Sequence, residues 1–275
     1  MKFPRILFFW CPYSILATIL SLLACTVMAE EIKIGGTGNA LGTMRLLGNA
    51  FNKENPSIHV TVLSSIGSSG AIKAVPKGAI DIGLASRKLS AEELATGVVA
   101  IEYARTPTVL AVSTKSKITA ITRKQIADLY IGKLTKWPDG SLIRPVLRQP
   151  GDENTKQIKT LSSAIEQALI AAEQRSGLAF AVTDQEAADK IETIPGAIGV
   201  TSLALIKSEN RRLRPLKLDA IEPTVKNGSS GNYVPVKPFF FITQPNPSAT
   251  VKQFIAFVNS SAGREILTQT GHWIP

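Results

Sequence analysis

The sequence predicts an α/β fold arranged as two lobes. Three patterns carry that expectation. Short strands alternate with helical periods from Glu30 to about Ser113, and the same alternation restarts near Ser116. A strong closing strand, "YVPVKPFFFITQ" (233–244), then leads into helices that would pack back on the first part. Strand–helix–strand repeats joined by brief loops imply parallel pairing, because parallel neighbours need a crossover connection.

The first 29 residues stand apart from this pattern. Lys2 and Arg5 precede an apolar stretch with no further charge before Glu30, the layout of a secretory signal, and Val27-Met28-Ala29 fits cleavage after Ala29. Two alternatives stay open. The stretch is long enough to span a bilayer, for which roughly 20 apolar residues suffice, although Pro12 divides it. "LLAC" (22–25) also fits a lipoprotein signal, which would leave Cys25 lipidated. Cleavage after Ala29 is preferred because Cys25 stands only a few residues before the first strand.

In chain order, "EIKIGG" (31–36) reads as a strand. "ALGTMRLLGNAFNKENP" (40–56) places Leu41, Met44, Leu47 and Phe51 on one helical face and stops at Asn55-Pro56. "IHVTVLSS" (58–65) alternates as a strand, "SGAIKAVPKGA" (69–79) is a short helix, and "IDIGLAS" (80–86) and "TVLAVST" (108–114) are strands. In the second half, a helix opens at Thr122 over "TRKQIADLYIG", followed by the strand "IRPVLRQ" (143–149). A single long amphipathic helix is expected over 155–175. "ETIPGAIGVTS" (192–202) reads as a tight turn into a strand, and 226–232 is the one Gly/Ser/Asn-rich loop. These elements place residues 30–113 plus 234–275 in lobe 1 and residues 114–233 in lobe 2. The chain would then cross between lobes twice above a hinge.

Composition narrows the function. Both cysteines, Cys11 and Cys25, lie in the leader, so the rest has no disulfide, thiol nucleophile or Cys-based metal site. Lys2 and Arg5 also fall there and every acid lies after it, which takes the formal charge from +10 for the whole chain to +8. The basic residues are scattered apart from "NRRLR" (210–214), with few aromatics between them, so a nucleic-acid surface is not expected. His59 and His272 have no Cys or paired carboxylates at ligand spacing and read as structural or exposed. "GxGxxxG" at 36–42 is one residue off the dinucleotide fingerprint, and no acid ends the following strand. No catalytic elbow, metal motif or cofactor site is visible.

Four strand-to-helix junctions remain: "GGTGNALG" (35–42), "GSSGAIK" (67–73), "DIGLASRKLS" (81–90) and "LRQPGDENTK" (147–156). In a parallel α/β sheet such junctions gather at the carboxyl ends of the strands, where ligands bind. Helix N-termini present free N–H groups and positive potential, so several of them around one cleft bind an anion. Arg148 adds a two-pronged donor suited to oxyanions. For any one of these segments the plain alternative is a helix cap.

The chain resembles the phosphate-binding family of periplasmic substrate-binding proteins that serve ABC importers. The likeness runs through "IKIGGTGNA", "FNKENPSIHVTVLSSIGSSGAIKAVPKGAIDIGLASRKLS", "LTKWPDG", "LRQPGDENT", "PGAIGV", "YVPVKPFFFIT" and "TGHWIP". It implies a two-lobed periplasmic-binding-protein-like (type II) fold with two interlobe crossovers and an oxyanion buried in the cleft. It further implies a periplasmic, monomeric receptor that delivers its ligand to membrane subunits and performs no catalysis. Ser68 in "GSSG" matches a family ligand position, with Ser69 beside it, and Arg148 matches the family's arginine. Ala40 and Leu41 stand where the family often has a threonine and an aromatic, leaving backbone donation at Ala40, with Thr37 or Asn39 substituting. Arg87, after Ser86, occupies the place of an aspartate in well-known members. Asp152, Glu153 and Asn154 replace the family's Ser-Gly-Thr, with Thr155 one step later.

Two expectations follow from these departures. In one, charge has been exchanged across the cleft and Asp152 faces the ion. A carboxylate there repels sulfate but accepts the proton of HPO₄²⁻. In the other, Asp152 caps the helix, Arg87 pairs with it or faces solvent, and the ligand is another oxyanion such as sulfate, molybdate or tungstate. A phosphate sensor, a phosphatase and a plain surface protein are the remaining rivals.

Overall fold

A computed structural model describes residues 30–275; the leader readings, with Cys11 and Cys25, lie outside the described residues. No helix among the described residues is long and apolar enough to cross a membrane.

The chain begins with β1 (Glu30–Gly36), α1 (Gly38–Glu54), β2 (Ile58–Val62), α2 (Gly67–Ala74) and β3 (Ile82–Ala85). The predicted face of α1, at Leu41, Met44, Leu47 and Phe51, is wholly buried. The helix stops at Asn55 because Pro56 pushes its predecessor out of the helical region. A one-turn α3 (Ala91–Leu94) opens on a Ser90–Glu93 capping box and precedes β4 (Val99–Ser113). Then come β5 (Ala120–Ile121), α4 (Arg123–Ile131), β6 (Arg144–Arg148), α5 (Glu153–Lys159), α6 (Ser163–Glu173), β7 (Ala179–Ala181) and α7 (Asp184–Thr193). The chain closes with β8 (Ala197–Ser202), α8 (Leu203–Ser208), β9 (Leu213–Pro215), β10 (Lys217–Leu218), α9 (Val225–Ser229), β11 (Val236–Thr243), α10 (Ala249–Asn259) and α11 (Ser261–Gln269).

Two expectations need correction here. The single helix over 155–175 is two helices, because the Ser162 side chain accepts from the Ile165 amide and starts a new one after Thr160. The loop at 226–232 is partly the short helix α9, capped by Thr224.

Among the described residues, nine strands form one mixed sheet in the order β2-β1-β3-β11-β4-β8-β6-β7, with β9 also on β4, and β5 pairs with β10 in a separate two-stranded parallel sheet. Parallel pairing holds for β1 with β2 and β3, and for β6 with β7 and β8. The centre is antiparallel. β4 is twice the predicted length: its first half pairs with β11 and its second with β8 and β9. The buried apolar residues follow that change of partner. Tyr103 and Ala104 pack with Ile32, Phe51, Phe239, Phe241 and Phe254, whereas Val109 to Val112 pack with Ile126, Tyr130, Ile165, Ile191 and Ile198. Tyr103 stacks on Phe241 at 4.1 Å, and Phe51 meets Phe254 edge-on at 5.3 Å. A fully buried side chain of this kind contributes ~1.5–3 kcal/mol. His272 is buried against Phe239 and hydrogen-bonded to Thr270, so it is a core residue and not an exposed one.

This topology carries the four junctions named above to a common place. The carboxyl ends of β1 and β2 lie on one buried cluster, Ala85 at the end of β3 joins a smaller one with α2, and β6 rises from a third.

Candidate functional site

A cavity of about 310 Å³ lies where these ends meet. That is the lower end of the ~300–1,000 Å³ common for ligand sites. Its wall includes Thr37, Asn39, Ser68, Ser69, Ser86 and Arg87 from the first half, with Arg148 and Asp152 from the second. Three predicted residues are not in the wall: Ala40, Asn154 and Thr155. The Ala40 amide is turned into its own helix, donating to the Thr37 carbonyl at 3.1 Å. Thr155 is turned toward Asp152, and Asn154 lies behind the wall.

On the first side, neither Thr37 before α1 nor Ile66 before α2 caps its own helix, and the α2 tip is open. Gly67 enters α2 with φ +69, a conformation that costs glycine little. The Ser68 hydroxyl accepts from the Ser86 amide at 3.1 Å and lies 3.4 Å from the Ser86 hydroxyl, which fixes both beside the cavity. Arg87 does not pair with Asp152. Its guanidinium grips both oxygens of Glu93 at 2.7 Å, donates to Ser69 at 3.0 Å and lies 3.8 Å from Glu153 across the cleft. The Arg87 hydrogen bonds hold the Glu93 carboxyl down at about 2.

On the second side the helix tips are closed. Asp152 caps α5, accepting from the Thr155 amide at 3.0 Å and from its hydroxyl at 3.1 Å. Thr183 caps α7. Arg148, at the end of β6, is nearly buried between two carboxylates. Its Nη1 donates to Asp184 Oδ1 at 2.7 Å, and its Nη2 lies 3.0 Å from Asp152 Oδ1 and donates to the Val182 carbonyl at 3.2 Å. Asp152 therefore both caps the helix and lines the cavity. Burial pushes its carboxyl upward against the pull of Arg148, with the Asp184 charge adding to the rise.

Asp184 was not foreseen. It starts α7 in "VTDQE", where Thr183 and Glu186 carry an ordinary capping signal, and its partner Arg148 is 36 residues away. Its Oδ2 accepts from the Asn39 amide at 3.1 Å, so this carboxylate reaches the tip of α1 from the opposite side of the cavity. Gln185 reinforces the contact by donating to the Gly38 carbonyl at 2.9 Å. Lys237 was also missed. It is wholly buried on β11, and its Nζ donates to Asn154 Oδ1.

Two buried polar atoms at the cavity have no partner: Arg148 Nε and Asn39 Oδ1. A buried polar group left unmade costs ~1–3 kcal/mol, so such atoms at a cavity mark a place for a ligand or water. Both histidines lie outside the wall, and no group of three or more metal-ligating side chains occurs among the described residues. The arrangement can donate to and surround a small oxyanion, and its two carboxylates can accept protons from one.

Comparison with known proteins agrees with the fold. A Clostridium perfringens protein solved with bound phosphate superposes with a TM-score of 0.76, covering 90% of this chain and 100% of that one at 23% identity. The phosphate-binding protein PstS of Borreliella burgdorferi is 26% identical over 251 residues, spanning 87% of this chain and 88% of its own length. A phosphate-binding protein PstS 2 of Streptococcus agalactiae is 32% identical over 113 residues; the match spans 41% of this chain and 38% of that relative. The family model for the PBP superfamily domain matches residues 26–262, and the chain belongs to that superfamily.

Proposed function

We infer that this chain is an exported receptor that captures inorganic phosphate between its lobes and presents it to the membrane subunits of an ABC importer. The single observation that carries the reading is the convergence on one cavity of the open α2 tip, the serine hydroxyls beside it and the orphaned Arg148 Nε. The relatives named for phosphate binding point the same way. In this reading residues 30–113 plus 234–275 and residues 114–233 are the two closing lobes, and the receptor acts as a periplasmic monomer.

The ligand's oxygens accept from the α1 and α2 tips, the hydroxyls of Thr37, Ser68, Ser69 and Ser86, and the free edge of Arg148. Asp152 and Asp184 then face an anion, which is unfavourable unless a proton lies between them. Protonated phosphate supplies one and sulfate at neutral pH does not, so the carboxylates discriminate by repulsion. Arg87 acts at one remove, holding Ser69 while Glu93 and Glu153 take its charge. Catalysis is outside this reading: the cavity serines hydrogen-bond to one another and to Arg87, not to a base.

Isothermal titration of the purified protein with phosphate, sulfate, molybdate and tungstate tests the assignment. Phosphate is expected to release heat at near-neutral pH and sulfate to give none. Absence of heat with phosphate, or a stronger response to another of the four ions, overturns it.

A further inference from the structure

Lys237 is a wholly buried cation outside the cavity wall. It projects from β11 opposite Thr106 of β4, where β4 changes partners between the two halves of the sheet. Its ammonium donates to Asn154 Oδ1 in the first turn of α5. The other end of that amide, Nδ2, donates to Asp184 Oδ1 at 2.9 Å, the same oxygen that receives Arg148 Nη1 at 2.7 Å. The amide orientation is thus fixed by a cation on one side and a carboxylate on the other. A hydrogen-bonded line runs Lys237–Asn154–Asp184–Arg148.

The charges explain why such a line is needed. Arg148 alone stands between Asp152 and Asp184, so the buried group without Lys237 holds one cation and two anions. At the mouth the charges balance, Arg87 and Lys156 standing against Glu93 and Glu153, so the anionic surplus lies in the buried group. A cavity with that surplus would attract metal ions or ammonium groups and repel oxyanions. With Lys237 counted, the buried group carries two charges of each sign. Resting on the phosphate reading, the geometry points to Lys237 as a positioning residue: through Asn154 its ammonium holds Asp184 against Arg148 and offsets the second carboxylate, which makes the cavity able to accept an oxyanion.

The ionisation directions agree with this placement. Burial lowers the Lys237 pKa, while Asp184, Asp152 and Glu153 hold the proton on and Arg148 works against it. Reciprocally, Lys237 pulls down the Asp152 carboxyl that burial pushes up. Removing Lys237 would let that carboxyl rise further. Oxyanion binding in the variant would then return as pH falls and one carboxyl takes a proton.

The experiment titrates inorganic phosphate into wild type, Lys237→Met and the double variant Lys237→Met/Asp184→Asn, each at about pH 8 and about pH 5.5. Relative to wild type at the same pH, K237M is expected to lose about tenfold or more in affinity at the higher pH. It should recover most of that loss at the lower pH. The double variant, which removes one charge of each sign, should bind better than K237M at the higher pH. It also carries the test should K237M alone fail to fold. Affinity of K237M within about twofold of wild type, or an equal loss at both pH values with no gain in the double variant, overturns the inference. Wild type that binds no phosphate overturns the functional reading as well.

Discussion

Replacing Arg148 by Met tests how much of the site rests on one guanidinium. The substitution keeps an unbranched side chain but leaves Asp152 and Asp184 buried, with Lys237 as the remaining cation behind them. Removing one partner of a buried pair costs ~3–5 kcal/mol, because the charge left behind is neither solvated nor matched. Loss of a charge-assisted bond to the ligand removes a further ~1.5–3 kcal/mol from binding. At about 1.4 kcal/mol per factor of ten, that is roughly 10- to 150-fold in affinity. The sign of the pH dependence follows from the Asp152 carboxyl, which burial already pushes up. Without Arg148 it rises further above its unfolded value, so the folded variant binds a proton that the unfolded chain does not. The destabilisation should therefore be largest near pH 8 and shrink toward pH 5. Urea unfolding of both proteins at these two pH values, paired with phosphate titration, measures both quantities. A stability loss below about 1 kcal/mol at pH 8, or one that does not change with pH, would refute the view that Arg148 holds two buried carboxylates.

Two further outcomes are expected. Gly38→Ala places a methyl 2.5 Å from Gln185 Oε1 and 2.8 Å from Asp184 Oδ2, and Asp184 is pinned by Arg148 and Asn154. The tips of α1 and α7 must part, at a cost of ~1–3 kcal/mol, and both melting temperature and phosphate affinity should fall; an unchanged affinity would show that this contact does not shape the site. His272 is wholly buried and its pKa is lowered to about 4, chiefly by burial. The unfolded chain therefore takes up a proton there first. Stability should fall as pH drops from about 6.5 to about 4, by up to roughly 3 kcal/mol. His272→Gln should flatten that part of a pH–stability curve measured by denaturant unfolding, and an unaltered curve would remove His272 from the acid response.

Much of the site was legible because its chemistry is local. Gly67-Ser68-Ser69 and Thr37-Gly38-Asn39 sit at strand ends next to helix starts, so spacing alone brings them together. Arg148 ends an apolar strand where a charge is conspicuous. The partners that neutralise these groups were not legible in the same way. Asp184 looks like the first residue of an ordinary capped helix, and its contacts with Arg148 and Asn39 depend on chain segments that only the fold brings near. Pairing of Arg87 with Asp152, or exposure to solvent, was one of two alternatives; the nearer Glu93, held in place by the Ser90 capping box, takes it instead. Lys237 did leave a trace in the sequence. It alternates in phase with Phe239 and Phe241, so a lysine occupies a position on the buried face of β11. A charge in the apolar phase of a strand calls for a buried partner. The break at Ser162 was signalled too, by a serine at capping distance from Ile165, but the apolar periodicity on both sides hid it.

An oxyanion filling the space between the α1 and α2 tips and Arg148 is what the receptor function requires. A crystal structure of the protein grown with phosphate measures this directly. Tetrahedral density within hydrogen-bond distance of Arg148 Nε, the Asn39 side chain and the Ser68 hydroxyl is the predicted result. Density for the ion elsewhere, with Arg148 Nε and Asn39 Oδ1 bonded to protein or water alone, would contradict it.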